Sequence, residues 1–132
     1  MKRVLLDTSG YSAFMRGSSQ AKLALQQAEE ILVNPIVLGE LFAGFRGGKL
    51  REENEQALGK FLSSPRVKVL DIDEDTAEYY AAILLSLKKS GKPIPTNDMW
   101  IAASAMQHSL RLLTTDAHYL KVTEVIVDYL AS

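Results

Sequence analysis

The sequence contains no cysteine, which excludes a disulfide framework and any metal site built from thiolates. It also has no apolar run that approaches the roughly 18 residues needed by a membrane-spanning helix. The apolar stretch near the N-terminus ends at Asp7, which is too early for a secretory signal peptide. These absences favour a cytoplasmic protein that does not enter a membrane.

The sequence also lacks an excess of positive or negative charge, because the formal net charge of the 132 residues is only −1. This balance argues against bulk electrostatic attraction to nucleic acid, since such binders are often strongly basic. It does not exclude a nuclease, because acidic residues gathered at a metal site would offset a basic rim. The length predicts a single domain over residues 1–132, and an apolar content of 47% is ordinary for a globular protein.

Short apolar strands alternate with helical segments along the chain. The predicted strands are 3–6, 31–34, 66–73, 110–115 and 123–128. The predicted helices are 20–30, 35–48, 50–64, 73–91 and 97–109, with a short helical turn at 116–120 and only turn residues after the first strand. This alternation predicts an α/β fold in which a parallel five-stranded sheet is flanked by helices.

Two acidic residues follow buried strands directly. Asp7 ends the first predicted strand and Asp116 ends the fourth. In a parallel sheet both strand ends lie at the same edge, where ligands of such sheets bind. Each residue could instead cap the helix that follows it, or bond to its own backbone in a turn. The sequence leaves both interpretations open.

Two further acids lie on apolar faces of predicted helices. The residues three and four positions from Glu40 are all uncharged, and those after Asp98 at the same spacing are apolar. Burying a lone carboxylate costs several kcal/mol, so these placements are unusual. The alternatives are that Glu40 reaches solvent at the margin of the apolar stripe, and that Asp98 interacts with the positive end of its helix.

Carboxylates that converge on one another must be neutralised. Two unit charges about 4 Å apart repel by roughly 4 kcal/mol at an effective dielectric constant near 20. Protons or a cation relieve this repulsion, and a site of oxygen ligands without cysteine favours Mg²⁺ or Mn²⁺. Hydroxyl groups that could orient the carboxylates or bound water adjoin Asp7 and Asp116, on Thr8, Ser9, Thr114 and Thr115.

The four acids lie in segments that read, in order, LLDTS, NPIVLGEL, IPTNDMWIAASA and RLLTTDAHYL. In order and spacing this set resembles the PIN-domain family, and within it the small VapC-like toxin ribonucleases. The resemblance spans essentially the whole chain. The third segment is the most specific, because it matches the family's Asp-x-x-Ile-Ala-Ala pattern closely.

This resemblance implies a PIN-like (Rossmann-like) sheet with four acids around one or two divalent ions. It implies cleavage of single-stranded RNA without a covalent intermediate, by the toxin of a type II toxin–antitoxin system. It also implies an antitoxin partner, which often inserts a basic side chain near the acids, and a homodimer. The acids that carry over are Asp7, Glu40, Asp98 and Asp116, with Thr114 as a supporting hydroxyl.

Specific roles follow as hypotheses. Metal ligation is assigned to Asp7, Asp98 and Asp116, positioning or deprotonation of the attacking water to Glu40, and support to Thr8 and Thr114. Hydrolysis by in-line attack would leave a 5′-phosphate and a 3′-hydroxyl.

The basic and imidazole side chains carry predictions of their own. Phosphate binding is assigned to Arg46 and Lys92, because both lie in predicted loops containing glycine or proline. His108 and His118 are interpreted as structural or exposed histidines, since neither belongs to the acidic motifs, although His118 lies two residues after Asp116.

Two other functions stay open. One is a PIN-like module that binds proteins without catalysis. The other is a Mg²⁺-dependent phosphoacceptor signalling domain, which also has acids at strand ends. That domain would need paired acids after the first strand and a lysine after the fifth. Here Asp7 stands alone and no lysine follows the fifth strand, although Asp71 or Asp73 could serve as the acceptor.

Overall fold

A five-stranded parallel sheet forms the centre of the computed structural model, which describes residues 2–130. Its strands are β1 (Arg3–Leu6), β2 (Glu30–Val33), β3 (Val67–Val69), β4 (Arg111–Thr114) and β5 (Val127–Tyr129). They lie in the order β3-β2-β1-β4-β5, and every neighbouring pair is parallel. The predicted fold class is confirmed. The fifth strand lies later than predicted, because the chain at 123–125 turns before its first bond with β4, in which the Leu112 N–H donates to the Ile126 carbonyl at 2.9 Å.

Helices cover both faces of this sheet. They are α1 (Thr8–Met15), α2 (Ser19–Gln27), α3 (Pro35–Arg46), α4 (Arg51–Leu62), α5 (Glu74–Ser90) and α6 (Thr96–Gln107), followed by a 3₁₀ helix at Ala117–Lys121. Coverage of both faces explains why β1 and β4 are continuously apolar and not alternating. Val4, Leu5 and Leu6 are at most 1% exposed. Over residues 2–130, every helix is too short or too polar to cross a bilayer.

The prediction of turn residues alone after the first strand is wrong, because α1 begins there. The prediction failed because Thr8, Ser9 and Gly10 are weak helix formers. In the structure the Asp7 side chain accepts a hydrogen bond from the Gly10 N–H and caps the helix. Tyr11 then packs into the core, so burial of one face stabilises a helix that propensity disfavours.

The chain reverses its direction of travel across the sheet at β1 and β4. It moves outward from β1 through β2 to β3, then returns to the other side of β1 with β4 and β5. Leu6 pairs with Leu113, and the Asp7 N–H donates to the Leu113 carbonyl at 3.3 Å. A crevice at such a reversal is the usual ligand site of open parallel sheets. The topology therefore brings the residues after β1 and after β4 together.

Candidate active site

Asp7 is buried at the end of β1, with both carboxylate oxygens hydrogen-bonded. It is 3% exposed. Oδ1 accepts the Gly10 N–H at 2.7 Å, and Oδ2 accepts the Thr114 hydroxyl at 2.7 Å. The Ser9 hydroxyl lies 2.9 Å from both oxygens. Asp7 thus caps α1 and at the same time contacts Thr114 at the end of β4, so the two sequence interpretations are compatible.

A chain of hydrogen bonds connects Asp7 to the segment after β4. The Asp116 N–H donates to the Thr114 hydroxyl at 2.9 Å, and that hydroxyl donates in turn to Asp7. The Thr115 N–H donates to the Ser9 oxygen at 3.0 Å. Because Thr114 is fully buried, its hydroxyl fixes the distance between the two strand ends. This geometry agrees with the supporting position predicted for Thr114.

Glu40 reaches the same region from α3. The Thr8 hydroxyl donates to Glu40 Oε1 at 2.6 Å, and the Asn97 amide donates to Oε2 at 3.3 Å. Glu40 is half-buried, so its carboxylate is neither free in solvent nor sealed in the core. Thr8 therefore orients Glu40, on the neighbouring helix, and not the adjacent Asp7.

Asp98 lies in the first turn of α6 and is oriented by a buried tyrosine. Tyr119, in the 3₁₀ helix, is fully buried and donates its hydroxyl proton to Asp98 Oδ1 at 3.2 Å. The Asp98 side chain is 13% exposed, so little solvent competes for this bond. The other oxygen, Oδ2, lies 3.5 Å from His118 Nδ1.

Asp116 caps the 3₁₀ helix and contacts His118 twice. Asp116 Oδ1 accepts the His118 backbone N–H at 2.9 Å and lies 3.0 Å from the imidazole Nδ1. Asp98, Asp116 and His118 offer ligand atoms that all lie within 4.8 Å of one another. The sequence interpretation placed His118 outside the acidic motifs, whereas the structure places its imidazole against two of the acids.

The charges of the four acids act on one another. Burial and, less strongly, the Asp116 charge raise the pKa of Asp7 to about 6, against hydrogen bonds that lower it. Burial likewise raises the pKa of Asp98, and the charges of Asp116 and Glu40 add to that shift. Burial also raises the pKa of the neighbouring Tyr119 hydroxyl, and the charges of the nearby acids act in the same direction. These interactions connect Asp7 with Asp116, and Asp98 with Asp116 and Glu40, whereas within residues 2–130 the ligand atoms that lie within 4.8 Å of one another belong to Asp98, Asp116 and His118.

The donor set fits a divalent cation. Two carboxylates and an imidazole within 4.8 Å of one another are ligands that such ions accept. A cation would also offset the mutual repulsion that raises the pKa of Asp98. Carboxylate oxygen predominates among the donors, which suits Mg²⁺ or Mn²⁺.

The two basic residues predicted to bind phosphate have different environments. Lys92 is exposed in the loop between α5 and α6, as predicted. Arg46 is the last residue of α3 and not part of a loop, because the helix continues to the glycines. Its Nε lies 3.5 Å from Glu55 Oε1, and its guanidinium lies 5.4 Å from the Phe42 ring centroid. Arg46 is therefore already paired within the protein.

Several residues of the site were not assigned from the sequence. Asn97 adjoins Asp98, and Gly10 is the third residue after Asp7. His118 and Tyr119 follow Asp116 within three positions. Proximity in sequence to an acid was the available signal in each case, and the missing information was which side of a helical turn each residue faces.

Comparison with known proteins identifies the fold and its family. The PIN domain model matches residues 4–125. Ribonuclease VapC1 of Haemophilus influenzae is 30% identical over 130 residues, covering 94% of this chain and 92% of the relative. The chain belongs to the VapC family of PIN-domain ribonucleases. Ribonuclease VapC4 of Mycobacterium tuberculosis is 33% identical over 95 residues, covering 72% of this chain and 73% of the relative.

Solved VapC-family structures share this architecture. The crystal structure of VapBC2 from Rickettsia felis, bound to a DNA fragment from its promoter, aligns with a TM-score of 0.82 at 25% identity. The alignment covers 96% of this chain and 98% of that chain. The phosphoacceptor alternative is wrong, because the family is different and β3 lies at the sheet edge. Asp73, which the sequence offered as a possible acceptor, caps α5 and bonds to Thr76 and Gln107.

Removal of one hydroxyl tests the support of Asp98. We expect Tyr119→Phe to weaken divalent-ion binding about tenfold, because Asp98 loses the donor that fixes its orientation. Isothermal titration with Mg²⁺ and Mn²⁺ measures this change. The matched control is Tyr11→Phe, since within residues 2–130 the buried Tyr11 hydroxyl has no hydrogen-bond partner. Equal ion affinities in all three proteins would contradict the role of Tyr119.

Proposed function

We propose that this chain is a divalent-metal-dependent endoribonuclease and the toxin of a type II toxin–antitoxin pair. The observation that carries this proposal is the convergence of Asp7, Glu40, Asp98 and Asp116 at the edge where β1 and β4 end, in a chain of the VapC family. Burial holds the pKa of Asp7 at about 6, so a nearby cation favours its ionised form near neutral pH.

The proposed ligands of the ion are Asp7, Asp98 and Asp116. An ion of the Mg²⁺ or Mn²⁺ type would supply Lewis-acid stabilisation of phosphate charge and would lower the pKa of water at the site. The protein holds each carboxylate in place beforehand, through Thr114 for Asp7 and through Tyr119 for Asp98. Such preorganisation reduces the reorganisation needed during reaction.

Glu40 is the proposed residue for positioning water and accepting its proton. Thr8 and Asn97 each donate to a different Glu40 oxygen, which fixes the plane of the carboxylate. In the proposed reaction the water oxygen bonds to phosphorus in line with the leaving 3′-oxygen. The bond between phosphorus and the 3′-oxygen breaks and the 3′-oxygen takes a proton from solvent water, leaving a 3′-hydroxyl on one fragment and a 5′-phosphate on the other.

The RNA strand requires positive charge near this acidic site. Lys92 is exposed, and within residues 2–130 its side chain is in no ion pair, so it is the stronger of the two proposed phosphate contacts. Arg46 could serve only by exchanging its contact with Glu55 for a phosphate. We propose that the protein acts in the cytoplasm on cellular RNA.

The proposed partners are an antitoxin and a second copy of this chain. The acidic cluster is complementary to a basic side chain, which an inhibitor could place among the carboxylates. The relatives solved as VapBC proteins from Rickettsia felis and Haemophilus influenzae support an antitoxin of the VapB kind. Light scattering of the purified chain tests the proposed homodimer.

A cleavage assay tests the enzymatic proposal. Purified protein, freed of any partner, is incubated with cellular RNA and Mg²⁺ or Mn²⁺. We expect cleavage by the wild type, loss of activity by at least about 100-fold in Asp98→Asn, and no activity with a chelator. The control Asp71→Asn removes an exposed acid after β3 and should cleave normally.

Two results would contradict this assignment. Equal cleavage by folded Asp98→Asn would indicate a contaminating nuclease and remove the support for the catalytic role. A wild-type protein that binds an antitoxin and cleaves none of the RNA pool would favour the alternative of a protein-binding module without catalysis.

A further inference from the structure

The imidazole of His118 belongs to the acidic cluster by geometry. Nδ1 lies 3.0 Å from Asp116 Oδ1 and 3.5 Å from Asp98 Oδ2. The 3₁₀ helix produces this arrangement, because the His118 backbone N–H bonds to Asp116 and turns both side chains to the same side. His118 is 47% exposed, so the imidazole lies at the mouth of the site and not in the core.

We propose that His118 Nδ1 is a ligand of the divalent ion held by Asp98 and Asp116, and that it gives this position a preference for first-row transition-metal ions over Mg²⁺. The inference rests on the proposed function, since it concerns the ion of the same site. It assigns a metal ligand outside the four acids.

The spacing of the three groups supports direct ligation. In a six-coordinate site with bonds of about 2.1 Å, neighbouring ligand atoms lie about 3 Å apart. The distances from His118 Nδ1 to the two carboxylates, 3.0 Å and 3.5 Å, are close to that separation. Tyr119 occupies Asp98 Oδ1, so it is Oδ2 that faces the imidazole.

The chemistry of the ligand determines the expected selectivity. Oxygen ligands suit Mg²⁺ and Mn²⁺ alike, so four carboxylates alone discriminate weakly between them. An imidazole nitrogen binds transition-metal ions more strongly than Mg²⁺, and among them Co²⁺ more strongly than Mn²⁺. One such ligand among oxygen donors therefore favours Mn²⁺ and Co²⁺ over Mg²⁺ without excluding Mg²⁺.

The alternative role for His118 is a hydrogen-bond donor that only positions the carboxylates. Asparagine separates the two roles, because its amide N–H₂ can donate to Asp116 but is not a ligand for these ions. The matched control is His108→Asn. His108 follows the last residue of α6, whereas Asp98 lies in the first turn of that helix, so the control removes an imidazole about 15 Å from the site.

The experiment measures binding of Mg²⁺, Mn²⁺ and Co²⁺ by isothermal titration to the wild type, His118→Asn and His108→Asn. We expect His118→Asn to weaken Mn²⁺ and Co²⁺ binding about tenfold and Mg²⁺ binding less than twofold. The visible absorption bands of bound Co²⁺ should shift in His118→Asn and stay unchanged in His108→Asn. A thermal melt confirms that both variants fold.

Other results would overturn the proposal. Unchanged affinities in His118→Asn would exclude ligation and assign His118 the positioning role that asparagine retains. Equal weakening of all three ions, with unchanged Co²⁺ bands, would identify a positioning contact that asparagine does not reproduce, and not a ligand. Absence of ion binding by the wild type itself would instead contradict the proposed metal dependence, and with it this inference.

Discussion

Asp7→Asn is expected to abolish RNA cleavage and, at pH 7 and above, to make the metal-free protein more stable. Both effects have one cause. Asp7 is only 3% exposed, and burial disfavours the negative charge of its carboxylate. Asparagine has the same shape without the charge. It keeps the acceptor for the Gly10 N–H and places an N–H₂ group opposite the Thr114 hydroxyl.

The hydroxyl groups around Asp7 can accommodate this replacement. Thr114 Oγ1 now donates to Asp7 Oδ2, and it could instead accept from the asparagine amide and direct its proton to Ser9 Oγ, which lies 3.1 Å away. The rearrangement gives a partner to one asparagine N–H and to both hydroxyl protons of this network. The expected loss of function therefore comes from the lost ligand charge and not from a disrupted fold.

The pH dependence follows from the direction of the pKa shift. The pKa of Asp7 rises from 3.8 to about 6 on folding. A raised pKa favours the protonated folded form, so its contribution to stability is fully present below about pH 4 and is lost as pH rises through about 6. At pH 7 the ionised group costs about 3 kcal/mol, and Asp7→Asn avoids this cost.

Denaturant unfolding with a chelator present measures this effect at pH 4, 5, 6 and 8. Trp100, the single tryptophan, is stacked on Tyr80 and provides the fluorescence signal. The stability of Asp7→Asn relative to the wild type should increase from pH 4 to pH 8, while the stability of Asp71→Asn should follow that of the wild type. Added Mg²⁺ should stabilise the wild type more than Asp7→Asn. A variant less stable than the wild type at pH 8 would show that the hydrogen bonds outweigh burial.

The sequence was most informative about the sheet. Buried parallel strands must be continuously apolar, so β1, β2 and β4 could be located within one residue. The ends of β1 and β4 then identified Asp7 and Asp116, because a parallel sheet collects the carboxyl ends of its strands at one edge. Capping patterns were equally informative, since α5 is capped by Asp73 at its N-terminus and by Gly91 at its C-terminus, as the sequence predicted.

The sequence was least informative where tertiary contacts override local preference. Helix α1 is built from weak helix formers and depends on its cap and on burial of Tyr11. The orientation of His118 depends on a single 3₁₀ turn, which periodicity does not reveal. Tyr119 lies in the segment RLLTTDAHYL, but its hydroxyl contact to Asp98 requires the packing of α6 against the 3₁₀ helix.

Gly10→Ala is expected to destabilise the protein by about 3 kcal/mol and to reduce cleavage activity. A Cβ on Gly10 would lie 2.6 Å from the Leu113 carbonyl oxygen and 2.9 Å from Leu6 Cδ1. The first of these atoms belongs to the backbone of β4, which cannot rotate away as a side chain could. The helix α1 must therefore move away from the sheet to admit the methyl group.

That movement affects the site directly. The Gly10 N–H is the 2.7 Å donor to Asp7 Oδ1, and the added Cβ would also lie 3.1 Å from that oxygen. Displacement of α1 also shifts Thr8, which holds Glu40. Gly10→Ala should thus weaken ion binding as well as stability, although it removes no ligand.

The matched control is Gly59→Ala, which makes the same substitution within α4. Among residues 2–130, a Cβ there meets no atom within 4 Å beyond its chain neighbours and its own helix backbone, so alanine should stabilise the helix by up to about 1 kcal/mol. Denaturant unfolding of both variants measures the expected loss of stability in Gly10→Ala and the expected gain in Gly59→Ala. Equal stability of Gly10→Ala and the wild type would mean that α1 can move from β4 without cost. The close approach of α1 to β4 would then not be what holds Asp7 beside Thr114.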